Sequence, residues 1–341
     1  MIIKTIVLTV YFSILLGIGF FASRRIKNIS DYYVGGKKLN YWIAALSARS
    51  TGESGWLLIG VTGMGAIMGV SAMWIVVGEV IGVFFSWQYM AKKFKRLTNE
   101  YNSITIPDFL VSHFRPSTNL IRILASTALS LFVVIYVSAQ IDITGKTFES
   151  FLGFNYYTGI AIGFGIVVLY IFSGGFLAVA WSDFFQGSLM FVALLLLPII
   201  AFFGLSSDVS IINGLKAIDP ALLNIWGPGG FNWINFATVA GLVSIGIGFL
   251  GSPQVYVRFI AIESEDEVEK GKWVAIIYTL LTDTAAVMIG ILGRYILTKS
   301  GQNPEVVLGT AGENVLAMPV SYTHLRAHET SLHLVCRLLL E

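Results

Sequence analysis

Arg49 and Glu53 lie four residues apart inside a stretch, 42–63, that is otherwise apolar enough to cross a bilayer. Each charge at bilayer depth costs on the order of 3 kcal/mol even on a lenient insertion scale, so a chain that keeps both is expected to use them. Two chemistries fit the spacing. If helix persists from 49 to 53, the side chains share a face and neutralise one another. Otherwise Arg49 meets a solute carboxylate while Glu53 faces a cation. Residues 47–55 read Ser-Ala-Arg-Ser-Thr-Gly-Glu-Ser-Gly, two charges and two glycines in mid-span, which predicts a broken transmembrane helix of the kind that binds ions and solutes. Glu79, Asp142 and Asp283 also interrupt apolar stretches. They are expected to face the interior, as relays, ion ligands or hydrogen-bonded structural groups, and they keep proton coupling open beside sodium coupling.

The elements that must position these groups follow from composition. Of 341 residues, 55% are hydrophobic and 12% charged, and the mean hydropathy is +0.76. Such a chain is an all-α polytopic membrane protein rather than a water-soluble domain. Because a span takes about 20 apolar residues, eight helices are predicted, near 5–23, 42–63, 70–91, 121–143, 156–178, 185–204, 235–257 and 273–297. Arg24, Arg25, Lys27, Lys37 and Lys38 follow the first, and Lys92, Lys93, Lys95, Arg96, Arg115 and Arg122 lie between the third and fourth. The positive-inside rule then sets both loops in the cytoplasm and the N-terminus outside, in a multi-pass protein of the cell (inner) membrane. The first span, with its charges after the apolar stretch, does not read as a signal peptide. One cysteine, Cys336, excludes an internal disulfide framework.

A second interruption stands in the seventh span, Gly241-Leu-Val-Ser-Ile-Gly-Ile-Gly-Phe-Leu-Gly-Ser-Pro253. Matched breaks in the second and seventh spans are the spacing of an inverted repeat of five helices plus five, with the site between them at the midplane. The plainer reading is that these glycines let helices pack closely.

The residues also carry a family resemblance. Ala45-Leu-Ser-Ala48, Ser54-Gly-Trp-Leu-Leu58, Thr105-Ile-Pro-Asp-Phe109, the run from Ser173 to Asp183 with its Gly174-Gly175-Phe176-Leu177-Ala178 signature, Gly251-Ser-Pro-Gln254 and Arg258-Phe259 resemble the sodium/solute symporter family, nearest its sodium/proline branch. The resemblance covers about residues 5 to 316. It implies the leucine-transporter-type inverted-repeat fold with one extra N-terminal helix, alternating access, sodium as coupling ion and no other cofactor. It also implies a sodium site with backbone carbonyls at Ser50 and Glu53, completed by hydroxyls of a later helix that the chain is expected to stop short of. Asp183 matches a family aspartate linked to sodium passage, with an N-cap role as the plain alternative. Gly52 stands where the proline branch has an aspartate, and Glu53 is the candidate replacement.

For the solute, the charge of Arg49 makes it a candidate, and the resemblance points to Trp56, Tyr136, Ile245, Phe249 and Pro253. Tyr136 and Pro253 keep the branch's residues, whereas Ile245 and Phe249 replace its tryptophan and tyrosine, which changes pocket shape and hydrogen bonding. The expected cargo is therefore a small organic solute, an amino acid or carboxylate, rather than proline in particular. The expected partners are that solute, sodium and lipid, with no nucleic acid, for a monomeric protein.

Residues 1–318 are read as one membrane domain and 319–341 as a tail foreign to the gene, resembling translated adapter sequence. His324, His328, His333 and Cys336 fall there, and His-Glu-x-x-x-His has one residue too many for a zinc-protease helix. No phosphate-cradling or nucleophile-elbow motif supports an enzyme. A sensory membrane domain of a signalling protein is the other class considered.

Overall fold

The computed structural model describes residues 2–204 and 210–299. In chain order its helices are α1 Ile2–Ser23, α2 Ile29–Val34, α3 Tyr41–Gly55, α4 Thr62–Met68, α5 Met73–Phe85, α6 Lys92–Glu100, α7 Ile106–Phe114, α8 Leu120–Leu152, α9 Tyr156–Gly204, α10 Ile211–Ile218, α11 Trp233–Gly248, α12 Pro253–Ala261 and α13 Glu265–Lys299. Wider π-helical turns, Trp56–Val61 and Ser86–Ala91, join α3 to α4 and α5 to α6. Polar caps start several of them: Asn40 accepts from the Ile43 amide at 2.9 Å, Asn232 from the Asn235 amide at 2.9 Å, and Thr105 caps α7 ahead of Pro107.

Six stretches among the described residues are long and apolar enough to cross a membrane, and two of them run 60 and 48 residues. Straight helices of those lengths would reach about 90 and 70 Å, well beyond a hydrocarbon core of about 30 Å. Both are folded back. The first reverses near Gly69–Ala72, and the second at Gly175, where φ 52 and ψ −150 leave helical geometry. The arms 156–174 and 176–204 both pack beside α1: Tyr170 and Ala178 cluster with Ala22, while Phe185 and Gln186 meet Tyr11 further along. A Cβ at Gly175 would stand 2.6 Å from the Tyr32 carbonyl oxygen, so the turn admits no side chain without rearrangement. The described residues thus form eight spans, with the fifth and sixth meeting at Gly175 rather than across the expected gap at 179–184.

The first predicted break is narrower than expected. Helical backbone persists through 47–53, and the departure is at Ser54, with φ 43 and ψ −150, a conformation that costs a non-glycine residue on the order of 1–3 kcal/mol. Ser50 Oγ donates back to the Leu46 carbonyl at 2.9 Å, and the Arg49–Glu53 pair spans one turn, so local bonds hold the helix up to the break. The second break falls where expected. α11 ends at Gly248, Phe249–Gly251 tightens, Ser252 is extended, and α12 begins at Pro253. Gly246 itself serves close packing, the plainer reading: it meets the α5 backbone at Gly78 and Gly82, where a Cβ on either Gly82 or Gly246 would collide with the partner's carbonyl. The loops beside the two broken helices are tied together by the Leu39 amide donating to the Ala261 carbonyl at 3.0 Å and the Glu263 amide to Leu39 at 2.9 Å.

Two apolar layers sandwich a polar one. One contains Ala44, Ala45 and Ala48 of α3, Val83 of α5 and Ala275 of α13; the other contains Leu57 and Val61, Ile75 and Val76, and Ala285 to Val287. Along each of α3, α5 and α13 the charged or hydroxyl residues sit between the two: Arg49 and Glu53, Glu79, and Thr282 with Asp283, all buried. Asp142 does not join them. α8 runs on to Leu152, and near its end the side chain of Asp142 is 45% exposed and paired with Lys146 at 3.1 Å, so its interior placement is corrected. The tail at 319–341, with His324, His328, His333 and Cys336, lies outside the described residues.

Candidate functional site

At 100° per residue, Arg49 and Glu53 occupy one face of α3, while Ser47 and Thr51 occupy the opposite face. Each face builds its own network. On the first, Arg49 Nε donates to Glu53 Oε1 at 3.0 Å, its Nη2 makes a shorter bond to the same oxygen, and Nη2 also lies 3.5 Å from Glu79 Oε2. Trp56 Nε1 donates to Glu79 Oε1 at 3.2 Å, which ties the turn beyond the break to α5. Thr282 Oγ1 lies 3.3 Å from Glu53 Oε2 and 3.3 Å from Asp283 Oδ1. The Arg49 guanidinium rests over the Phe249 ring at 5.0 Å, so the second helix break touches the first through a cation–π contact. Gly52 leaves room for that ring: a Cβ there would be 2.9 Å from Phe249.

On the opposite face, Asp183 Oδ2 accepts from Ser47 Oγ at 2.6 Å, Thr51 Oγ1 at 3.1 Å and Arg258 Nη2 at 2.8 Å. Arg258 also donates from Nε to Ser47 Oγ at 3.0 Å, from Nη2 to Thr51 Oγ1 at 2.7 Å and from Nη1 to the Gln254 carbonyl at 2.8 Å. This knot joins α3, the second arm of α9 and α12. Asp183 stands two turns inside its arm, so the N-cap alternative falls away.

The predicted residues therefore separate into groups. Arg49, Glu53, Trp56 and Phe249 share the first network. Ser50 sits beside Asp183 in the second, its Oγ 3.3 Å from the Asp183 carbonyl. Tyr136 donates its hydroxyl to the Thr51 carbonyl at 2.8 Å, so α8 holds the helix just ahead of the break, and Gln140 accepts from the Gly55 amide at 3.3 Å just past it. The Glu53 carbonyl, a predicted sodium ligand, accepts the Trp56 amide in this conformation and keeps one lone pair. Ile245 packs in the apolar layer with Leu57, and Pro253 opens α12; the bonds that bind the two networks do not include them. Sequence reasoning missed Arg258 and Thr282 as members. Arg258 had a usable signal, an arginine in an apolar run just after a helix break.

Broken helices set against each other around a buried charged layer define a multi-pass membrane protein of the leucine-transporter type. One span, α1, precedes the first broken helix, and five spans separate the start of that helix from the start of the second. The likeness extends to a solved structure described as "Substrate-bound outward-open state of a Na+-coupled sialic acid symporter reveals a novel Na+-site", which matches with a TM-score of 0.78 at 18% identity, over 99% of this chain and 68% of that one. The model of the sodium:solute symporter family matches residues 32–326, and the chain belongs to that family. Its relatives include the high-affinity proline transporter PutP of Bacillus subtilis (strain 168), 36% identical over 307 residues, 89% of this chain and 64% of the relative. The sodium/proline symporter of Escherichia coli (strain K12) is 33% identical over 283 residues, 81% of this chain and 54% of the relative. The chain thus spans 54 to 64% of the length of these two curated relatives.

Proposed function

We propose that the protein is a secondary active transporter that carries sodium together with a small organic solute, an amino acid or carboxylate, by alternating access across the cell membrane. The observation that supports this most is the meeting of two broken helices at a buried charged layer, Arg49 over Phe249, in a chain whose relatives are named proline transporters. Ser50 and Glu53 at the first break and Asp183 beside it are the sodium residues. Arg49, Trp56, Tyr136, Ile245, Phe249 and Pro253 frame the solute. Here Arg49 is held by Glu53 and Asp183 by Arg258, a self-neutralised arrangement that solute and ion would each have to open. An anionic or zwitterionic solute suits this, since its carboxylate replaces Glu53 as the partner of Arg49. Residues 1–318 act as one membrane domain, lipid-embedded, with the N-terminus outside the cytoplasmic membrane.

The test is uptake of labelled proline, other amino acids and short carboxylates into proteoliposomes. The chain is joined to the part of the Bacillus subtilis relative it does not match, so that hydroxyls of later helices are supplied. Uptake of one class driven by an inward sodium gradient is the expected result. Uptake that ignores sodium and follows a proton gradient would overturn the ion assignment, and uptake of no solute in the panel would overturn the cargo.

A further inference from the structure

Glu53, Glu79 and Asp283 come from three different helices, yet one carboxylate oxygen of each lies within 4.8 Å of the others, and all three residues are buried. One guanidinium, Arg49, faces these three carboxylates, and it is already committed to Glu53. Two oxygens accept no hydrogen bond, although each is sealed from solvent: Asp283 Oδ2, and Glu79 Oε2, which has only the longer 3.5 Å contact with Arg49 Nη2. Buried acceptors in this position carry a heavy desolvation penalty unless something positive meets them. A separation of up to 4.8 Å is what two oxygens adopt on opposite sides of a hard cation at about 2.3–2.6 Å from each.

From this geometry we propose a second cation site in the protein, in which Glu79 and Asp283, supported by Glu53 and the Thr282 hydroxyl, hold a hard cation that prefers oxygen ligands. It is separate from the Ser50–Asp183 region, which lies on the opposite face of α3. The charged and titratable groups facing it are Arg49 and Glu53 from α3, Glu79 from α5, and Tyr278 and Asp283 from α13. The packed arm of α9 contributes the Gly187 carbonyl, which takes the Tyr278 hydroxyl at 3.0 Å, and the turn after α11 contributes the Phe249 ring. Since the ligands belong to α3, α5 and α13, the cation clamps three helices around the first break, and its loss leaves carboxylates repelling one another across their interface. The site does not depend on what solute the protein carries.

The test is direct binding of radioactive sodium, and separately of radioactive calcium, to the purified chain in detergent at neutral pH. One of the two ions should bind saturably, with affinity at least about tenfold weaker in E79Q and in D283N and unchanged in D142N, whose carboxylate lies outside both networks. Binding lost in D183N but kept in E79Q and D283N would refute this site while leaving the Asp183 assignment standing. Binding of neither ion, together with a protonated-carboxyl infrared band that disappears in D283N, would also refute it, and would assign a proton in place of the metal. Monodispersity and thermal unfolding are checked for each variant, and if D283N misfolds the E79Q result decides.

Discussion

Breaking the Asp183–Arg258 pair is the sharpest perturbation available in the second network. The side chains are 15% and 6% exposed, and the bond between them is 2.8 Å. Removing one partner of a well-buried pair costs about 3–5 kcal/mol, because the other charge is stranded. In R258M, Asp183 keeps the hydroxyls of Ser47 and Thr51 at 2.6 and 3.1 Å, so the low end, about 3 kcal/mol, is expected. In D183N, Arg258 keeps Ser47, Thr51 and the Gln254 carbonyl, and the loss should again be about 3 kcal/mol. The double variant strands no charge. It should therefore lose less than either single variant, under about 3 kcal/mol against about 6 if the two sites were independent, a coupling above about 3 kcal/mol. Reversible unfolding of the purified chain by a denaturing detergent, followed by tryptophan fluorescence, measures all four proteins. Single losses below about 0.5 kcal/mol, or losses that simply add, would refute the claim that these groups form one closed knot.

Other consequences are smaller or blunter. S54G should raise the melting temperature, since glycine adopts the break's backbone without the penalty serine bears, with a gain of about 1 kcal/mol; an S54V variant should lose at least that much. Y136F removes one hydrogen bond to the Thr51 carbonyl and should cost about 1 kcal/mol in the same unfolding assay while leaving the fold intact. G246V drives a branched side chain into the α5 backbone and should lose more than about 3 kcal/mol or yield no monodisperse protein in size-exclusion chromatography.

What the sequence disclosed was local. Hydropathy located the spans, glycine and proline located the second break, and four-residue spacing anticipated the Arg49–Glu53 pair, because each signal is carried by neighbours in the chain. The dihedral angle at Ser54 was hidden: the stretch's own glycines, Gly52 and Gly55, keep helical backbone, and the departure falls on the serine. The reversal at Gly175 was not anticipated, since Gly174 and Gly175 fall inside the predicted span 156–178; it emerged from both arms packing on α1. The partnership of Arg258 with Asp183 and with Ser47 spans 75 and 211 residues, beyond any periodicity. Asp142 misled because hydropathy does not show which way a side chain on a span faces; here it is 45% exposed and pairs with Lys146 one turn on.

The proposed transport requires the two helix breaks to flank a pathway opened alternately to either side of the membrane. Cysteine placed at Phe249, in a chain whose own Cys336 is changed to serine, reports on this through labelling by a membrane-impermeant thiol reagent, with and without sodium, in oriented vesicles. Labelling from both sides in turn, with sodium shifting the balance toward one of them, is the expected result. Labelling from a single side regardless of sodium, or from neither, would contradict it.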